Sequence, residues 1–166
     1  LVFVGELGND DYGQRLRDQL KALGPDSRIT ITGWASNETF ENYLAAADLA
    51  VQLRSLSRGE TSAAVLDCMN HRLSTIVNAN GSMADLPERG VCRLPDEFST
   101  EQLTQALEQL RHDDSARHAL GQRGREVIEL QHTPEYCAEL YHSAIERYTQ
   151  QSRTFTNELQ QKLDQL

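Results

Sequence analysis

A run of side chains capable of binding and chemistry lies between residues 54 and 67. Its sequence, RSLSRGETSAAVLD, combines two arginines, a glutamate and small residues with one carboxylate, Asp67, inside an otherwise apolar stretch. Guanidinium groups bind phosphate, and a carboxylate accepts hydrogen bonds from sugar hydroxyls. The residue types therefore indicate a site for an anionic ligand that carries hydroxyl groups.

The second half of this run is predicted to be a helix that begins at Thr61 or Ser62 and ends near His71. The N–H groups of its first turn, with the positive end of the helix dipole, would favour a bound phosphate. Asp67 would lie about 7 Å along the axis from Ser62, at ~1.5 Å per residue. That is about the span between a diphosphate and its ribose, and Glu60 would accept hydrogen bonds from a sugar.

Each of these residues also has an ordinary structural alternative. Glu60 could form a loop ion pair with Arg58, and Thr61 and Ser62 could be plain helix caps. Asp67 could pair with a nearby arginine or a backbone donor. Spacing alone leaves both interpretations open.

The elements that must position these residues alternate between short strands and helices. Strands are predicted over five segments, which are 1–4, 28–32, 48–53, 74–79 and 90–94. This alternation predicts an α/β fold, a Rossmann-like three-layer α/β/α arrangement with a mostly parallel sheet. In such sheets ligands bind beyond the carboxyl ends of the strands, where the Gly33–Trp34 turn and the 54–62 segment would lie. Gly33 could also simply end its strand.

After residue 98 the pattern is wholly helical. Ser99 and Gln102 form a predicted capping box, and Thr133 followed by Pro134 predicts the start of another helix. We expect one Rossmann-like domain over residues 1–150, followed by a polar C-terminal helix or tail over 151–166.

Composition restricts the partners. A net charge of -9 and a pI near 5.0 disfavour a nucleic-acid or anionic-membrane surface. The cysteines, Cys68, Cys92 and Cys137, are odd in number and lack metal-binding spacing, which predicts reduced thiols in a cytoplasmic protein. No apolar stretch is long enough to span a bilayer.

Two overlapping segments carry a resemblance to a known family. The segments ITITGWASNETFENYLAAADL and AAADLAVQLRSLSRGETSAAVLDCMNHRLSTIVNANGSMADLP resemble the donor-binding region of family-four glycosyltransferases, which are retaining enzymes with the GT-B fold. The family pattern there is an alanine-aspartate strand start, a Glu-x7-Glu motif across a loop and helix, and a small-residue turn. The resemblance covers about residues 1–150 and corresponds to the C-terminal, Rossmann-like half of such an enzyme.

The resemblance implies transfer of a sugar from a nucleotide-diphosphate sugar with retention of configuration. It implies no cofactor and no obligatory metal, because helix amides and cations would stabilise the leaving diphosphate. The residues it assigns to the site are Glu60 toward the donor sugar as the catalytic group, Thr61 and Ser62 at the phosphates, Asp67 at the ribose, Gly33 and Trp34 at the base, and Arg54 and Arg58 as phosphate cations.

The sequence departs from the family pattern at several positions. Asp67 replaces the second glutamate, and Glu60 stands one position late for the first. Thr61 and Ser62 replace a Gly-Phe-Gly loop, and residues 72–74 (RLS) replace Gly-x-Pro.

The segment LVFVGELG, at the start of the chain, resembles the second strand of that half. We therefore expect the first strand, its phosphate-binding cations and an N-terminal acceptor-binding domain to be missing, and the isolated chain to be inactive. We expect a cytoplasmic protein, and any peripheral attachment to the inner membrane would be made through missing sequence. Polysaccharide biosynthesis is a typical setting for the family.

Two other functions are alternatives to glycosyl transfer. A dinucleotide-binding oxidoreductase is disfavoured because no predicted strand is followed by Gly-x-Gly-x-x-Gly. A non-catalytic α/β interaction module, with the acidic helical segment 99–166 as its binding surface, remains open. Asp67 separates the two remaining functions, because in a module it would contact only protein groups.

Overall fold

The computed structural model of the protein describes residues 1–24 and 28–163. These residues divide into two compact units, Leu1–Asp48 and Leu49–Leu166. The predicted domain boundary near residue 150 stays a prediction, and one helix, Pro134–Leu163, runs through that position.

The first unit contains two strands and two helices. Its elements are β1 (Val2–Phe3), α1 (Asp11–Ala22), β2 (Thr30–Ile31) and α2 (Asn37–Ala46). The two strands pair in parallel, with Val2 opposite Thr30. Ser36 caps α2 through a hydrogen bond that its hydroxyl accepts from the N–H of Thr39 at 3.2 Å.

The second unit contains three strands, four α-helices and two short 3-10 helices. Its elements are β3 (Leu49–Gln52), α3 (Ala63–Asn70), β4 (Ser74–Asn78), 3-10 helices at Gly81–Asp85 and Glu88–Gly90, β5 (Cys92–Leu94), α4 (Thr100–His112), α5 (Asp114–Gln131) and α6 (Pro134–Leu163). The strands are parallel in the order β3-β4-β5, so β4 is central.

Every residue of β4 is buried, because helices cover both faces of this strand. Val77 packs on one side in a core that includes Val65 of α3 and Val127 of α5. Ile76, whose side chain points the opposite way, packs in a second core with Leu110 of α4. A strand that is buried on both faces in this way is typical of a parallel sheet between helical layers.

The predicted α/β class with parallel pairing is confirmed. The strands pair as a two-stranded and a three-stranded sheet, however, and not as the single open sheet expected. The β1–β2 ladder is only two residues long, and Gly33, which follows β2 with φ +69°, forms an isolated antiparallel bridge with Gly5.

Local signals place most helix starts correctly. Ser99 and Gln102 form the predicted capping box at the start of α4, with both reciprocal hydrogen bonds present. The Thr133 hydroxyl accepts from the N–H of Tyr136 at 3.2 Å, and Pro134 is the first residue of α6, as predicted.

Two glycines let α5 approach its neighbours closely. A β-carbon on Gly121 would collide with the carbonyl group of Arg72, the residue two before β4. A β-carbon on Gly124 would stand 3.0 Å from the carbonyl oxygen of Gly90. Arg72 itself adopts φ +59°, a left-handed conformation that favours glycine.

Candidate functional site

Segments that follow the three parallel strands of the second unit are joined by hydrogen bonds at the carboxyl edge of the sheet. Asn78, the last residue of β4, bonds to Arg54 after β3 and to Asp96 after β5. The Ser82 hydroxyl donates to the carbonyl oxygen of Glu60 at 2.8 Å. We name this group the strand-end cluster; its residues are Arg54, Ser57, Glu60, Ser62, Asn78, Asn80, Ser82 and Asp96.

Arg54 links the loop after β3 to the start of α3. Its Nη1 donates to Glu60 Oε1 at 2.8 Å and its Nη2 donates to Ser62 Oγ at 3.0 Å. The side chains of Arg54 and Glu60 are 31% and 50% exposed, so this ion pair is open to solvent. The sequence placed both residues in the site but did not predict that they pair.

Glu60 is held by the backbone as well as by Arg54. Its Oε2 accepts from the N–H of Arg58 at 2.8 Å. Hydrogen bonds from its own N–H and from that of Arg58, followed by the charge of Arg54, lower the pKa of Glu60 below its ordinary value. The carboxylate is therefore ionised at neutral pH, and its ion pair is with Arg54 and not with Arg58.

The start of α3 differs from the prediction in one respect. Ser62 occupies the N-cap position and is buried, but its side chain makes no capping hydrogen bond. Its hydroxyl oxygen accepts from Arg54 instead, and Thr61 is exposed just before it. A side-chain cap by Thr61 or Ser62 is therefore wrong, and no described side chain caps the first N–H groups of α3.

Asp67 lies half-buried on α3. Within residues 1–24 and 28–163, its carboxylate makes no hydrogen bond or ion pair, while its backbone carbonyl oxygen accepts from the N–H of His71 at 3.0 Å and lies 2.9 Å from His71 Nδ1. Arg54 is occupied with Glu60 and Ser62. The alternative in which Asp67 pairs with an arginine is thus not what the structure describes.

The turn after β4 packs against the loop after β3. Gly81 has φ +56°, and a β-carbon there would collide with the Ser57 side chain. Asn80 donates from Nδ2 to Asp96 Oδ1 at 2.9 Å, while its Oδ1 is buried without a described partner.

Neither Asn78 nor Asp96 was predicted from the sequence to take part in the site. The available signal for Asn78 was an amide side chain that directly follows three β-branched residues, Thr75, Ile76 and Val77.

Gly33 and Trp34 belong to the first unit. Gly33 adopts φ +69°, and its carbonyl oxygen accepts from the Thr32 hydroxyl at 2.8 Å. Trp34 is 79% exposed. The assignment of these two residues to a nucleotide base stays a prediction.

The described residues contain no group of three or more histidine, cysteine, aspartate or glutamate side chains arranged to hold a metal ion. Nor is any described helix both long and apolar enough to cross a membrane.

Solved structures of glycosyltransferases share this fold. Sucrose-phosphate synthase from Thermosynechococcus elongatus superposes with a TM-score of 0.72 at 19% identity, over 90% of this chain and 38% of that protein. HepE of Anabaena, in complex with UDP-glucose, gives 0.64 at 17% identity, over 76% of this chain and 35% of HepE. The C-terminal domain of LpcC, a glycosyl transferase group 1 family protein from Francisella tularensis, gives 0.61 at 17% identity, over 75% of this chain and 64% of that domain.

These likenesses confirm the predicted fold, the Rossmann-like C-terminal half of a GT-B structure. The chain spans little more than a third of the length of the sucrose-phosphate synthase and HepE chains that it matches. No curated protein sequence matches it significantly. The family model described as glycosyl transferases group 1 matches residues 1–127, which is most of the chain, and the protein therefore belongs to that family.

Proposed function

We propose that the chain binds a nucleotide-diphosphate sugar and serves as the donor-binding half of a retaining glycosyltransferase of the hexosyltransferase type. The observation that carries this proposal is the position of the Arg54 guanidinium, which donates to Ser62 at the uncapped start of α3. A guanidinium beside the positive end of a helix is a favourable place for a diphosphate.

The groups around Arg54 retain donors for such a ligand. A guanidinium carries five N–H donors, and the described contacts of Arg54 use one on Nη1 and one on Nη2. The Ser62 hydroxyl accepts from Arg54, which leaves its own hydrogen to donate to a phosphate oxygen. Thr61 is exposed at the same turn and Arg58 lies in the same loop, so both remain proposed phosphate contacts.

Two carboxylates would hold the sugar portions of the ligand. The half-buried Asp67 would accept hydrogen bonds from the ribose hydroxyls, since no described protein group occupies its oxygens. Glu60 is ionised and half-exposed, and it would act on the donor sugar. Protonation of the Glu60 carboxylate would remove both its proposed role on the donor sugar and its ion pair with Arg54.

In this proposal the leaving diphosphate is stabilised by the α3 amides and by arginine, without a metal ion. HepE, whose fold this chain shares, has been solved with UDP-glucose and with UDP. An acceptor-binding domain outside this chain would complete the enzyme, so the isolated chain would be inactive in sugar transfer. Sugar transfer by the purified chain would contradict this part of the proposal.

The test is calorimetric titration of the chain with UDP, GDP and ADP, with wild type and the Asp67→Ala variant compared. We expect one nucleotide to bind, and Asp67→Ala to weaken its binding by ~1 kcal/mol or more, which is about fivefold or more. Glu126→Ala is the matched control, because Glu126 is a half-buried acid on a different helix, α5.

The outcomes separate the assignments. Equal weakening by Asp67→Ala and Glu126→Ala would point to a general charge effect and remove the ribose role of Asp67. Binding that neither variant changes would leave a nucleotide site but refute that role. No binding of any of the three nucleotides to the wild-type chain would count against the donor site.

A second candidate is a non-catalytic interaction module, and α6 supports it. This helix exposes several large apolar side chains, including Tyr141, Ile145, Tyr148 and Phe155. Single exposed apolar residues are ordinary, but a series on one helix is typical of a surface that meets another protein. Failure of all three nucleotides to bind would favour this function.

A further inference from the structure

We infer that Asn78, at the buried end of β4, is a positioning residue that fixes where the Arg54 guanidinium meets Glu60 and Ser62. The inference rests on the proposed function in so far as that arrangement serves a donor site. Its structural content is independent of any ligand, because all the groups belong to the second unit of this chain.

The side chain of Asn78 forms a pair of hydrogen bonds with the backbone of Arg54. Asn78 Oδ1 accepts from the N–H of Arg54 at 2.8 Å, and Asn78 Nδ2 donates to the carbonyl oxygen of Arg54 at 2.7 Å. One side chain thus satisfies both polar backbone groups of one residue. This is what a neighbouring strand does in a sheet.

These two hydrogen bonds between Asn78 and the backbone of Arg54, which we call the clamp, lie just beyond the regular ladder of the sheet. The regular ladder between β3 and β4 ends with Gln52 opposite Val77. Arg54 is two residues farther along, where the chain leaves the sheet. Asn78 therefore extends the pairing by one further residue and holds the backbone of Arg54 at the sheet edge.

The side chain of Asn78 is itself held in place by Asp96. Its side chain is 1% exposed, and its Nδ2 also lies 3.2 Å from Asp96 Oδ1 and 3.3 Å from the Asp96 carbonyl oxygen. Asp96 follows β5, which pairs with β4 on the side opposite β3, so the Asn78 amide is held by groups at the ends of both neighbouring strands. A buried amide with this many partners has little freedom to turn.

Fixing the backbone of Arg54 affects the guanidinium group at the end of its side chain. With its backbone fixed, the side chain reaches Glu60 Oε1 at 2.8 Å and Ser62 Oγ at 3.0 Å. Without the clamp, the backbone of Arg54 would be free to move with the exposed loop that follows. The Arg54–Glu60 pair, which is open to solvent, would then lose its fixed geometry.

The test separates positioning from simple structural support by measuring the pKa of Glu60. The chain is labelled with ¹³C at glutamate carboxyl carbons and titrated by NMR without nucleotide, as wild type, Asn78→Ala and Thr75→Ala. Thr75 is the matched control, since it is buried in the same strand and its hydroxyl donates to the carbonyl oxygen of Leu73 at 3.0 Å, away from Arg54. Arg54→Ala gives the reference for loss of the pair.

We expect the pKa of Glu60 to rise in Asn78→Ala in the same direction as in Arg54→Ala, and to stay at the wild-type value in Thr75→Ala. A folded Asn78→Ala chain with the wild-type Glu60 titration would overturn the inference, as would an equal rise in Thr75→Ala. If Asn78→Ala does not fold, Asn78→Ser gives the same comparison, because a hydroxyl is too short to span both backbone groups of Arg54.

A second measurement links the clamp to the ligand. Asn78→Ala is expected to weaken the nucleotide that the wild-type chain binds by about fivefold or more, whereas Thr75→Ala leaves its affinity unchanged. If the wild-type chain binds no nucleotide, the proposed function fails while the Glu60 titration still decides the role of Asn78. Unchanged nucleotide affinity in a folded Asn78→Ala chain would show that the clamp does not serve a donor site.

Discussion

The carbonyl group of Arg72 packs directly over the α-carbon of Gly121, at the point where α5 crosses the turn before β4. The contact leaves no room for a β-carbon, and the obstacle is backbone, which cannot rotate away. Gly→Ala within a helix ordinarily stabilises by about 0.5–1 kcal/mol. The sign should be reversed at this position.

We therefore expect Gly121→Ala to lower the free energy of unfolding by about 2 kcal/mol, measured by urea denaturation. Gln122→Ala, at the exposed neighbouring position, is the control and should stay within about 0.5 kcal/mol of wild type. A Gly121→Ala chain as stable as wild type would mean that α5 stands farther from Arg72 than the structure shows.

Arg72→Gly should have the opposite effect. A side chain at φ +59° costs about 1–2 kcal/mol, which glycine would relieve, while the greater freedom of glycine in the unfolded chain offsets about 0.5–1 kcal/mol. The expected net result is a gain of about 0.5–1 kcal/mol in the free energy of unfolding. Arg72→Ala removes the same guanidinium but keeps the β-carbon, so it should bring no comparable gain. Equal gains in both variants would attribute the effect to the side chain and not to the backbone.

Stability should depend on pH through Glu60. Because folding lowers the pKa of Glu60 from its ordinary 4.5, the unfolded chain binds more protons there as the pH falls. The stabilisation is thus fully present above about pH 4.5 and is lost as the pH drops through the folded-state pKa. The measurement is the difference in unfolding free energy between wild type and Glu60→Gln, followed by denaturation from pH 7 downward.

That difference should be constant near neutral pH and should shrink below pH 4.5, and it should also be smaller in high salt, because the pair with Arg54 is open to solvent. Other carboxylates titrate in the same range, but they are common to both proteins and cancel in the difference. A difference that stays level down to pH 3 would mean that Glu60 is not held as described.

Local sequence signals predicted the helix starts and the parallel strands well. Ser99 and Pro134 act within one helical turn of their own position, so residue type and spacing are sufficient to place them. The burial of β4 agrees with its three consecutive β-branched residues, Thr75, Ile76 and Val77. The grouping of the strands into two sheets depended on pairing across many residues, and composition does not report that.

The candidate site was predictable in its residues but not in its connections. Arg54, Glu60 and Ser62 were each singled out, yet the capping role predicted for Ser62 failed because Arg54, eight residues earlier, takes its hydroxyl. Asn78 lies 24 residues from Arg54 and meets it only because β3 and β4 are in one particular register. A single sequence contains no measure of that register.

The two glycines of α5 also limit how this helix can assemble onto the second unit. Gly121 and Gly124 face backbone carbonyl groups of Arg72 and Gly90 at successive contact points along one side of the helix. Sliding α5 by four residues in either direction would bring Arg117 or Arg125 to the point beside the Arg72 carbonyl group, where a β-carbon collides with the backbone. The close approach at Gly121 therefore restricts the axial register of α5 on the second unit, in addition to lowering the stability of any variant with a larger residue there.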